Sequence, residues 1–508
     1  MKGHWMTTCA AVAALVSVTY STGGDSAARA QPRSSLAALD NAIVIENRKA
    51  GTAGVLTTLV SRYNQSIIAG YADATSVDRD SRIVFRVSTS QPGSYTINVY
   101  RLGFYGGAGT RLVASSPVLN GVTQRACEVT ELATHLIECS WDKSYTFRVR
   151  SDWTSGIYIA VLNHVATGRQ SPIYFVVRDD GRRSDIVFQS SRTTGLAYNS
   201  WGNDTERYSL YPHNSTGGVR AMKVSLDRPT TDRDVLHFEF QMLRWLESQG
   251  YDVTYITNMD VHTNWTRLLN HKVFLSVGHD EYWSKEMRDG LEAARNSGVS
   301  LGFFSANTGY WRVRFEPSSR GRPNRVMVGY KYPSLTPDPV APTYRWRDPP
   351  NNRPENALLG VMYIGRQQGG FYGGFDWVAP NVTDPVFANT GLTNGSALSQ
   401  LVGYEWDGVV NNGFTPPGLK VLGASPVTPA TVATGIPKTA TQISHTTRYT
   451  HASGAQVFAT GSIHWMWGLD STLIQPPRVD ARAQKFTVNV LAGMGARPAT
   501  PSAGIVVP

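Results

Sequence analysis

Two rhythms of apolar and polar positions divide the chain. Between residues 42 and 177, short runs at 82–87, 95–101, 146–149, 157–162 and 173–177 are each alternating or β-branched, separated by turn residues such as Pro92-Gly93 and Gly106-Gly107. A period of two predicts strands, and no helical period competes with it here. Strands of this length and spacing predict an antiparallel β-sandwich of immunoglobulin-like type over residues 41–180, although the Cys-Trp-Cys spacing of antibody domains is missing.

After the polar hinge at 179–184 the rhythm changes. A strand at 185–189 is followed by a helix at 234–248, with Leu236, Phe240, Leu243 and Leu246 on one face and Gly250 as its stop, and then by a strand at 253–256. A second unit repeats the order: strand 272–277, the segment Gly278-His279-Asp280-Glu281-Tyr282-Trp283, Ser284 as the N-cap of a helix to residue 296, and strand 299–304. This order predicts a parallel sheet covered by helices over 185–508, with ligands collecting beyond the carboxyl ends of the strands. His279, Glu281 and Asn307 fall at such ends. Residues 316–354, rich in Pro and Arg, read as a loop insertion near the site mouth, and strand 456–462 and helix 481–491 complete the domain.

A length of 508 residues agrees with two domains, and 41% apolar with 17% charged residues describes a globular protein. Lys2 and His4 before an apolar run at 6–18, then Ala28-Arg29-Ala30, predict a secretory signal over residues 1–30, cleaved near Ala30 and followed by no stretch of membrane-spanning length. The net charge of +10 predicts a basic surface, but no nucleic-acid motif accompanies it, and Arg312, Arg314, Arg320, Arg322 and Arg325 read as a solvated loop. Cys9 would leave with the signal. Cys127 and Cys139 then remain as an even pair in an oxidising compartment, and a disulfide between them is expected.

Within Gly278–Trp283, alternation turns His279 and Glu281 to one side and Asp280 to the other, so a base and a carboxylate ligand can share a pocket. The competing reading is that Asp280 or Glu281 caps the following helix, a task for which Ser284 is better placed. A second polar and aromatic concentration, 193–204, follows the strand at 185–189 and reads as a loop, either a pocket wall or a turn with a packed aromatic.

Four separated motifs, Tyr100-Arg101-Leu102-Gly103-Phe104-Tyr105-Gly106-Gly107, Ser155-Gly156-Ile157-Tyr158, Tyr198-Asn199-Ser200-Trp201-Gly202 and Gly278-His279-Asp280-Glu281-Tyr282-Trp283, together resemble the large catalytic subunit of N,N-dimethylformamidase, from about residue 41 onward. The resemblance implies an immunoglobulin-like sandwich joined to a class I glutamine amidotransferase-like domain. It also implies one iron ion held by two tyrosines and a glutamate, here Tyr158, Tyr198 and Glu281, with His279 as catalytic base and Asn307 and Glu405 handling substrate or protons. Three hard anionic oxygens suit ferric iron better than zinc or copper. The long N-terminal portion of that subunit has no counterpart here, and this chain encodes no small partner subunit. An exported relative is expected to act on a small amide other than dimethylformamide, as a homo-oligomer or with a small partner.

Two rival functions stay open on sequence alone: a surface carbohydrate-binding protein with an inactive α/β domain, and a glycosidase pairing Glu281 with Glu405 or Asp407.

Overall fold

Strands at Arg82–Thr89, Ser94–Leu102, Tyr145–Arg148, Gly156–His164 and Gln170–Arg178 follow the alternating runs of the sequence in a computed structural model that describes residues 40–230, 234–332, 334–368 and 370–508. The expected signal segment, with Cys9, lies outside the described residues. Two sheets face each other. One has the order Ile68–Ala72, Arg82–Thr89, Tyr145–Arg148; the other has Ser76–Asp78, Gln170–Arg178, Gly156–His164, Ser94–Leu102, Thr110–Ser115. Phe85, Val87 and Phe147 of the first meet Ile97, Val99, Ala160 and Phe175 of the second in a shared core. The pairing is antiparallel except where Ser76–Asp78 runs parallel to Gln170–Arg178.

Two short helices, Ala42–Asn47 and Val55–Arg62, precede these strands and correct the expectation that no helix competes there. At six and eight residues they are too short for periodicity to announce them. They rest on tertiary support, as where the Asn41 side chain accepts from the amides of Ile43 and Val44 and donates to Gly250 O.

The second layer begins at Ser184–Ser190, directly after the hinge. Its seven-stranded sheet has the order Val253–Thr257, Ser184–Ser190, His271–Gly278, Ser300–Ser305, Gln456–Ala459, Gln442–Thr450, Lys420–Val427. The first five strands pair in parallel and the last two antiparallel. Three smaller sheets from the chain between residues 223 and 432 sit over it. The predicted helices appear at Phe240–Ser248, Lys285–Asn296 and Ala481–Gly493, the second capped by Ser284 Oγ accepting from Met287 N. The segment 193–204, expected as a loop, opens with a helix at Thr193–Tyr198.

The layers are joined by an apolar face and a buried ion pair. Along Gly156–His164 the pleat sends Tyr158, Ala160 and Leu162 into the sandwich and Ile157, Ile159 and Val161 outward against Ile186, Phe188, Val253 and Tyr255 of the α/β sheet. Arg101, fully buried, gives Nη1 and Nη2 to the two carboxylate oxygens of Glu247 at 2.9 and 2.7 Å. Residues 40–508 accordingly form one compact unit.

Cys127 and Cys139 form the expected disulfide at the base of the hairpin Glu128–Glu131 and Leu136–Glu138. The arginine-rich stretch departs in part from expectation. Arg314 pairs with Glu316 and Asp338, while Arg322 and Arg325 both pair with Asp227 and donate to Asp73 O and Ala72 O of the sandwich. Arg322 and Arg325 are thus ties between layers, whereas Arg320 is exposed as expected of a solvated loop. Among the described residues no helix is long and apolar enough to cross a membrane.

Candidate functional site

The strand His271–Gly278 delivers the site. Gly278 has φ of +74°, and a Cβ there would lie 2.3 Å from Phe238 Cβ, so the sharp exit that presents His279 requires glycine. Phe238 belongs to a π-helical turn, Val235–Glu239, a distortion that recurs at functional sites. Alternation then acts as the sequence implies. Asp280 turns away and accepts from Gln189 Nε2 and Ser276 Oγ at 2.7 and 2.8 Å, tying the segment to two strands, while His279 and Glu281 enter a pocket of about 730 Å3.

Glu281 is held at both ends. Its amide donates to Thr194 Oγ1, and its Oε1 accepts from Trp311 Nε1 at 2.8 Å. The hydroxyls of Tyr198 and Tyr211 approach its carboxylate at 3.5 and 3.4 Å, and the two rings stack at 4.1 Å. Burial first, and then the Glu281 charge, pushes both phenols well above their ordinary range.

His279 Nδ1 lies 3.2 Å from Asp234 Oδ2. Its Nε2 faces two carboxylates, Glu281 Oε2 at 3.6 Å and Glu405 Oε2 at 3.5 Å, beyond good hydrogen-bonding distance of either. Burial alone would lower the imidazole pKa, but the Asp234 bond and the surrounding carboxylates outweigh it and raise the group to about 9. Burial pushes Glu405 up to about 7 even though His279 draws it down. Asn307, at φ of +55°, also lines the pocket; its backbone N–H donates to Asp407 Oδ1 at 2.7 Å, and its Oδ1 has no hydrogen-bond partner among the described residues.

The structure therefore brings together His279, Glu281, Tyr198, Asn307 and Glu405. It does not bring Tyr158. That hydroxyl donates to Thr154 O at 2.6 Å, and the ring is sandwiched between Trp153 and Phe175 inside the sandwich core. The expectation that Tyr158 is a metal ligand is corrected: the pleat of its strand points it away from the pocket. Asp407 does not pair with Glu281 either, because its carboxyl is committed to the Asn307 amide.

Sequence reasoning missed Tyr211, Asp234 and Lys331. Tyr211 sits in an aperiodic loop and reaches the site only because Ser209, Ser215 and Tyr211 knit that loop through mutual hydrogen bonds. Lys331 lies in the stretch read as an insertion. Its Nζ donates to Tyr282 Oη at 2.7 Å and stands 3.5 Å over the Tyr211 ring, and burial brings its pKa down to about 7.

Among the described residues no group of three His, Cys, Asp or Glu is arranged to hold a metal ion, so a cation site in this pocket would need other oxygen donors beside Glu281. The phenol oxygens of Tyr198 and Tyr211 and the Glu281 carboxylate meet that condition. At 3.4–3.5 Å they are close enough to share one cation and make only marginal hydrogen bonds to one another.

A buried imidazole among carboxylates, at the carboxyl edge of a parallel sheet buttressed by a β-sandwich, defines an α/β protein with an acid–base site. The chain belongs to the N,N-dimethylformamidase beta subunit-like family: the model of that family's C-terminal region matches residues 96–480. Membership points to a hydrolase acting on a small molecule. No curated protein matches the chain.

Proposed function

We propose that this chain is an exported, iron-dependent hydrolase of a C–N amide bond, built from an immunoglobulin-like sandwich and a class I glutamine amidotransferase-like domain. The observation that carries the reading is the convergence of Tyr198, Tyr211 and Glu281 beside His279 in one pocket. Those three residues would hold the ion, Tyr211 replacing Tyr158 in the set implied by resemblance. Phenolate and carboxylate oxygens are hard donors that suit ferric iron. When bound, the iron supplies Lewis acidity toward the amide carbonyl and toward water.

The chain's own residues divide the proton work. Asp234 fixes the ring of His279 through Nδ1 and leaves Nε2 facing the pocket. His279, its pKa raised by Asp234 and the neighbouring carboxylates against the effect of burial, can hold a proton at Nε2 and give it to the departing amine nitrogen. Glu405, whose pKa burial raises to about 7, is partly ionised at neutral pH, and in that form it takes the proton that water loses and returns it to His279 across 3.5 Å. Asn307 lies against Glu405 and favours the ionised form of that carboxyl, which a base needs.

The test is metal content and amine release from the purified protein and four variants. About one iron per chain with a tyrosinate-to-iron absorption band is expected, lost in Tyr198→Phe, Tyr211→Phe and Glu281→Gln and kept in Tyr158→Phe. A protein that takes up no iron, or one that loses it only through Tyr158→Phe, refutes the assignment.

A further inference from the structure

A second cavity, of about 590 Å3, adjoins the pocket, and Arg366, Phe371, Tyr404 and Thr431 line both. Together they form a cleft far larger than a formamide of a few atoms requires. Arg366 ends the strand Met362–Arg366 and is the direct cross-strand partner of Glu405. Residues opposed in this way project from the same face with backbones about 5 Å apart. The base of the acid–base pair and a cation are therefore side by side, Glu405 buried at the reacting centre and Arg366 exposed toward the mouth.

Arg366 differs from the arginines around it. Arg347 is locked onto Glu355, and Arg345 onto Asp348. The Arg366 guanidinium makes no hydrogen bond or ion pair with any described residue, and Glu405 is turned to His279 instead. An unsatisfied planar fork opening on a cleft is suited to bidentate capture of a carboxylate. Beside it, Phe371 and Tyr404 stack at 5.3 Å, a flat apolar wall able to take an aryl or alkyl group.

We propose that Arg366 is the specificity-determining residue of this cleft, and that the amide it serves carries a carboxylate a few bonds from the scissile carbonyl, as in an N-acyl amino acid. The proposal rests on the amide-hydrolase reading and names its substrate class. Arg366 sets a positive charge on the strand beside Glu405, one residue pair away from the reacting end, where the carboxylate of such an amide would lie.

The experiment compares N-acetylphenylalanine with N-acetylphenethylamine, which lacks only the carboxylate. The iron-loaded protein should hydrolyse the acid with a kcat/KM at least tenfold higher, the difference residing in KM. Arg366→Gln should remove that preference, and Arg366→Lys should restore part of it. Equal rates on the two amides, or a preference that survives Arg366→Gln, overturns the proposal while leaving amide hydrolysis intact. If neither compound is hydrolysed, the parent reading fails. Calorimetric binding then still decides on Arg366: tighter binding of the acid than of the amine analogue, lost in Arg366→Gln, supports it, and equal binding sinks it.

Discussion

Arg101→Met should be among the most damaging single changes outside the pocket. The side chain is completely buried, and its guanidinium donates to Glu247 twice, to Leu102 O at 3.0 Å, to Ser155 O at 2.8 Å and to Tyr105 Oη at 3.1 Å. The methionine fills much of the volume but removes every one of these donors. Glu247 then keeps only neutral donors, Tyr255 Oη and Asn47 Nδ2, both at 2.8 Å, and becomes a buried charge without a counter-charge. Breaking one partner out of a buried pair costs about 3–5 kcal/mol, a large share of the roughly 5–15 kcal/mol that holds a folded domain. Arg101→Lys keeps the charge but not the fork, and should lose less. The double variant Arg101→Met/Glu247→Leu removes the stranded charge and should recover part of the loss. With the single variant Glu247→Leu completing the cycle, urea unfolding followed by tryptophan fluorescence at pH 7 reads all five proteins. A loss under about 1 kcal/mol in Arg101→Met, or a double variant as unstable as the sum of its singles, would refute the idea that this pair clamps the sandwich to the α/β sheet.

Two further outcomes follow from buried groups. Burial pushes Asp407 up to about 8, against the pull of the Asn307 amide, so in the folded protein it stays neutral where the unfolded chain is ionised. Stability from this group is full below the unfolded pKa near 4 and is lost as pH rises to about 8, at most about 1.4 kcal/mol per pH unit. Asp407→Asn keeps an acceptor for Asn307 and should flatten that decline between pH 5 and 8; identical slopes for both proteins would contradict it. Reduction of Cys127–Cys139, which spans 12 residues of sequence, should lower stability by about 3 kcal/mol through the freed loop, measured as a shift in urea midpoint with reductant.

How far the sequence could be read depended on whether a residue's role is local. The pleat that separates Asp280 from His279 and Glu281 is a property of three adjacent residues, and the Ser284 cap is a property of four, so both were legible. The parallel sheet was legible because its strands are nearly continuous apolar runs followed by helices with a clean period. Tyr211 was not, since its loop has no period and is shaped by hydroxyl-to-backbone bonds that composition does not specify. Strands such as Lys420–Val427 and Gln442–Thr450 also escaped: each alternates imperfectly, and the first carries a register shift between Val421 and Gly423.

Tyr158 was misplaced for a different reason, which says what its motif is for. Gly156 faces Arg101, and a Cβ at that position would lie 2.6 Å from Arg101 Nε; Ser155 gives its carbonyl to the same guanidinium and accepts from the Tyr255 amide through its hydroxyl. Ser155-Gly156-Ile157-Tyr158 and Tyr100–Gly107 are thus two halves of one clamp, and a shared motif can mark a joint between layers as well as a reacting centre. A ligand role for Tyr158 would require its strand to turn over by one residue. That slip would drive Ile157, Ile159 and Val161 out of the interface with the α/β sheet and expose the opposite set to it, at a cost of roughly 1.5–3 kcal/mol for each large apolar side chain displaced. The alternation that places three apolar residues against the α/β sheet is what keeps Tyr158 from the pocket, and it leaves Tyr211 to approach Glu281 beside Tyr198.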